Sequence, residues 1–62
     1  MFIEFETNYG KVTIKLESIE AIEKGLSFGN PIVRVYLTTG REYEAPVELY
    51  DSLVVAWVTF AN

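Results

Sequence analysis

The segment from Leu53 to Ala61 is nine residues long and carries no charge, in a 62-residue protein whose formal net charge is −4. Whatever element forms there presents apolar side chains on every face, and a fold this small has few places to hide one. Part of the segment must cover a core, and the rest is expected to meet a partner. Val47, Tyr50, Val54, Trp57 and Ala61 recur on one helical face, with Leu49, Leu53, Ala56 and Phe60 on the adjoining one. Pro46, Glu48 and Asp51 suit a helix's first turn, where a missing donor costs nothing and acids oppose the dipole. The β-branched Val54, Val55, Val58 and Thr59 lean the other way, towards strand. The reading is a helix over about 47–59, with a turn at Tyr50-Asp51-Ser52 and a final strand as the alternative.

The rest of the chain alternates with period two. Ile3 and Phe5 in one run match Val12, Ile14 and Leu16 in the next, across Thr7-Asn8-Tyr9-Gly10, which reads as a four-residue hairpin loop. That spacing sets Phe5 opposite Val12 and Ile3 opposite Ile14, with Glu6 opposite Lys11 and Glu4 opposite Thr13 on the other face. A short turn at 17–19 and a strand at about 20–24 follow. Residues 25–31, with two glycines and Asn-Pro, read as a loop. Leu26 and Phe28 in that loop either fold back over the sheet edge as a plug or form an exposed apolar contact point.

Ile32 to Thr38 is the clearest strand, with Val33, Val35 and Leu37 on one face and Arg34, Tyr36 and Thr38 on the other. A strict two-residue return at Thr39-Gly40 would bury Glu42 and Glu44 without partners. The spacing therefore predicts a three-residue connection, Thr39-Gly40-Arg41, with Gly40 at positive φ, Leu37 opposite Tyr43 and Val35 opposite Ala45. The expected architecture is α+β: a small, bent, antiparallel sheet of four or five strands, open and barrel-like, with one C-terminal helix packed on it. A single domain spans residues 1–62.

Charge and composition bound the function. With 50% hydrophobic residues the chain has ample material for a core, and it lacks both cysteine and histidine, so disulfide and zinc supports are closed to it. A second subunit is the remaining support. The commonest general base and the usual activator of a serine nucleophile are missing together, so no enzyme activity, catalytic residue, cofactor or metal is expected. Glu42 and Glu44, and the series Glu17, Glu20 and Glu23, read as solvated faces. Nine acids against five bases repel phosphate, which disfavours direct nucleic-acid binding.

The acidic start Met1-Phe2-Ile3-Glu4-Phe5-Glu6 does not look like a secretory leader, and the apolar tail is about half a membrane span, so the expected location is cytoplasmic. Arg34, Tyr36 and Arg41, with Tyr43 nearby, form a candidate polar binding face, while the bland alternative has Arg34 pairing with an acid across its hairpin and Tyr36 covering the sheet. Val55, Val58 and Phe60, with Trp57, Leu26 and Phe28, are the candidate interface residues. The Gly-bearing hairpin, the Ile-Glu-x-Ile-Glu run and the Val-x-Val-x-Leu-x-x-Gly strand-turn are similar in outline to small bacterial and phage regulators. None of these residues carries a reaction. The expected function is a small protein-interaction or regulatory module acting as a homo-oligomer. The alternative is an acidic inhibitor or nucleic-acid mimic, of phage type, that blocks a basic, nucleic-acid-binding or defence protein.

Overall fold

The computed structural model describes Met1 to Ala61. β1 (Phe2–Thr7) and β2 (Gly10–Lys15) form a hairpin with the register that alternation demands: Ile3 opposite Ile14, Phe5 opposite Val12, Glu4 opposite Thr13 and Glu6 opposite Lys11. Pairing runs further than expected, to Thr7 opposite Gly10. The Thr7 hydroxyl closes the turn by donating to the Gly10 carbonyl (2.6 Å) and accepting from the Tyr9 N–H (3.1 Å).

A 3-10 turn at Leu16–Ser18 separates this hairpin from β3 (Ile19–Ser27), β4 (Asn30–Leu37) and β5 (Glu42–Pro46). The five strands are thus divided between a two-stranded and a three-stranded sheet, the latter in the order β3-β4-β5, rather than joined in one. The turn supplies the reason: it redirects the chain after β2, so β2 and β3 are neighbours in sequence without being hydrogen-bonded partners. The hairpin instead approaches β5, where the Asn8 N–H donates to the Glu44 carbonyl at 3.0 Å.

Residues 25–31 are not a loop. β3 and β4 pair continuously to Ser27 opposite Asn30, and only Phe28 and Gly29 form the turn, both at positive φ (52° and 81°). Two-residue hairpin turns of this hand suit the twist of the strands and ordinarily place Asn or Gly at the first position. Phe28 there costs roughly 1–2 kcal/mol of backbone strain. Pro31 is tolerated because it lies one residue beyond Ile32–Pro46, the last β4–β5 pair. Leu26 and Phe28 do not plug the sheet edge; they are 64% and fully exposed, respectively.

At the β4–β5 return the expected facing is correct and the register is not. Tyr43 and Ala45 share the face of Val33 and Val35, but Val35 lies opposite Tyr43 and Val33 opposite Ala45, two residues from the anticipated match. The connection is three residues long, Thr38-Thr39-Gly40, closed by Gly40 N–H to Leu37 O (3.0 Å) and Leu37 N–H to Arg41 O (2.8 Å), with Gly40 at φ 92°. This is a tight turn followed by a left-handed glycine, a standard solution for a three-residue return. It keeps Glu42 and Glu44 off the core face as effectively as the expected register did.

After Pro46 a 3-10 turn at Val47–Leu49 leads into α1 (Tyr50–Ala61), so the tail is helical despite its β-branched residues. Packing decides against propensity here. Leu53 is 2% exposed and joins Phe5, Ile14, Leu16, Ile19, Val33, Val35, Leu37 and Ala45 in one core, with Trp57, Tyr50 and Ala56 packed partly against it. Phe5 meets Tyr43 edge-to-face at 6.4 Å. Lys24 Nζ sits 4.7 Å from the centre of the Tyr50 ring, fastening the start of α1 to β3. No helix among the described residues is long and apolar enough to cross a membrane.

Candidate functional site

α1 buries only one flank. Val55, Val58 and Phe60 remain 63%, 47% and 38% exposed, whereas Trp57 turns partly onto the core. Beside the exposed flank runs an apolar groove of about 510 Å³, with Phe2 and Ile3 from β1 and Leu16 from the following 3-10 turn on one wall, and Val55, Ala56 and Phe60 on the other. Met1 borders it too, held by its backbone carbonyl, which accepts from the Leu16 N–H at 2.9 Å, and by its ammonium group on Glu17 at 3.1 Å. That ammonium and a backbone hydrogen bond hold the Glu17 carboxyl below its usual pKa, the backbone contribution being the larger.

The β1 wall of the groove was not anticipated from the sequence. Its signal was Phe2, which falls opposite Lys15 on the polar parity of β1 and is 63% exposed. An aromatic on the wet face of an edge hairpin needs a reason. Tyr9, 96% exposed at the hairpin tip, is a further exposed aromatic, away from the groove lining.

The polar candidates separate. Arg34 and Tyr36 lie on the outer face of the three-stranded sheet, opposite Glu44 and Glu42 on β5. Arg41 shares the parity of Tyr43, on the other side, and donates from Nη1 to the Tyr43 hydroxyl at 3.2 Å. A basic and aromatic platform combining all three therefore does not form. Arg34 is already engaged: its Nε donates to Glu44 Oε2 at 3.2 Å and its Nη2 to the Leu26 carbonyl at 3.0 Å. Burial raises the Tyr36 hydroxyl above its usual pKa, and Glu23 and Glu42 push it further.

Gly25 makes the Arg34 arrangement possible. A Cβ there would lie 2.8 Å from Arg34 Nη1, so the guanidinium crosses β3 over the one residue without a side chain. Gly25→Val is expected to displace Arg34 and lose about 1 kcal/mol, the worth of a partly buried charged pair. A denaturant melt checks this. If Glu44→Gln then costs as much in the Gly25→Val background as in wild type, Arg34 was never displaced.

Among the described residues, no three carboxylates converge to hold a metal ion. No family model, no curated protein and no solved structure matches the chain. The functional reading therefore rests on the surfaces themselves.

Proposed function

We propose that this protein is a non-enzymatic interaction module that works as a homo-oligomer, with the groove between β1 and α1 at its interface. The observation that carries the reading is the exposed flank of α1. Val55 and Phe60 continue the apolar lining supplied by Phe2 and Ile3, making one contiguous patch rather than scattered surface residues. A second copy is the favoured occupant because a small domain with no cysteine or histidine to staple it gains most from a subunit that extends its core. Light scattering on the purified chain should give a mass that rises towards twice 7.1 kDa as concentration is raised from micromolar to millimolar. A strict monomer throughout sinks the reading.

A second reading, the acidic inhibitor or mimic of a nucleic acid, is favoured by the outer sheet face. Arg34 is neutralised there by Glu44, which leaves Glu23 and Glu42 as net negative charge beside Tyr36. Capture of a basic protein that weakens steeply with salt would support this reading, since exposed charges are screened over about 8–10 Å at physiological ionic strength. Salt-indifferent capture would oppose it.

A further inference from the structure

Phe28 is the outlier among the exposed residues. It is fully exposed, it stands at the tip of the longest hairpin, and it holds a left-handed backbone (φ 52°) that disfavours a side chain of its kind. Asn at this position would relieve the strain and wet more readily, so neither turn formation nor solubility accounts for a phenylalanine. Strain retained at an exposed aromatic points to a use. Leu26, 64% exposed two residues earlier, widens the same apolar tip.

We infer that Phe28 is an anchor that seats in the β1–α1 groove of a second copy, and that two copies exchange tips reciprocally in a closed dimer. This rests on the homo-oligomer reading and names its contact. Residues 25–33 carry no charge, and among the described residues the one charge lining the groove is the terminal ammonium, paired with Glu17. In a protein of net charge −4, two copies repel wherever their acidic faces meet, and tip against groove is an approach that avoids this.

Position favours reciprocity. The groove includes Leu16, just before β3 begins, and the tip follows where β3 ends, so roughly 27 Å of strand separates them at about 3.3 Å per residue. Copies lying antiparallel bring each tip beside the other's groove. One tip alone is too small a contact, because an aromatic side chain buries only about 150–250 Å² against the roughly 800 Å² per partner of a stable interface. Two tips and two grooves related by a two-fold axis double that contact and close it on itself without open-ended growth.

Complementation between two variants tests this. Phe28→Asn removes the anchor and keeps the groove, while Val55→Arg blocks the groove at an exposed helix position and keeps the anchor. Each variant alone should dissociate at least about thirtyfold more readily than wild type, the scale of an interface hot spot. Mixed, they should form a heterodimer tighter than either variant's own, because one tip still meets one intact groove. Phe28→Asn should also melt higher than wild type, by roughly 4 °C or more, at a dilution where both are monomeric. Unchanged association of Phe28→Asn overturns the anchor. Two weakened variants that do not recover on mixing overturn the pairing of tip with groove while leaving self-association standing. A monomeric wild type defeats the homo-oligomer reading itself.

Discussion

Leu53→Ala should abolish most of the stability of this protein. Leu53 is 2% exposed and is the one α1 side chain buried completely in the shared core, against residues of both sheets. Truncating a buried leucine costs about 2–5 kcal/mol, because the lost burial is compounded by a cavity that the surroundings fill only partly. A domain of this length has roughly 3–9 kcal/mol to lose. The expected result is a fall in melting temperature of at least about 10 °C, or no cooperative transition, followed by circular dichroism. A loss below about 1 kcal/mol would mean that α1 is not seated on the sheets as described.

Trp57→Ala is the second large effect, expected at about 2–3 kcal/mol, below the 3–5 kcal/mol of a fully buried aromatic because Trp57 is only half-buried. Its value lies in comparison with Val55→Arg two residues earlier. Val55 is 63% exposed, so a polar replacement there should leave the unfolding midpoint of the monomer nearly unchanged, within about 0.5 kcal/mol. Denaturant melts at low protein concentration measure both. Equal losses at the two positions would contradict the division of α1 into a core flank and an outer flank.

That division was legible in part from helical periodicity, which leaves Val55 and Val58 off both apolar faces, whereas Phe60 shares the face of Leu53 and is nonetheless 38% exposed. The register of the first hairpin was equally legible, because alternation sets the parity and the length of the Gly-bearing loop chooses the pairing. Other features depended on interactions that no local window contains. Residues 25–31 resembled a loop because two glycines and Asn-Pro are read as breakers, yet Gly25 lies within β3, where the Arg34 guanidinium passes close over it. A Phe-Gly pair also lacks the Asn-Gly signature of the turn it forms.

The β4–β5 return shows a different limit. Burial of acids rules out one parity but does not distinguish registers two residues apart, and only the Thr38-Thr39-Gly40 geometry chooses between them. The division into two sheets follows from the 3-10 turn at Leu16–Ser18; a short turn at 17–19 was expected, but nothing local to it shows that it parts one sheet from the next. The groove was half legible for the same reason. Its helical wall follows from periodicity, whereas Phe2, Ile3 and Leu16 reach it through tertiary contacts across the fold.

The most direct test of the account is an NMR dilution series on the wild-type chain, from millimolar to low micromolar concentration. Resonances of Phe2, Val55, Phe60 and the turn at Phe28-Gly29 should shift together with one dissociation constant, while those of Tyr36 and Glu42 on the outer face stay still. Spectra that do not change with concentration and report a monomer throughout, or shifts confined to the outer face, would contradict it.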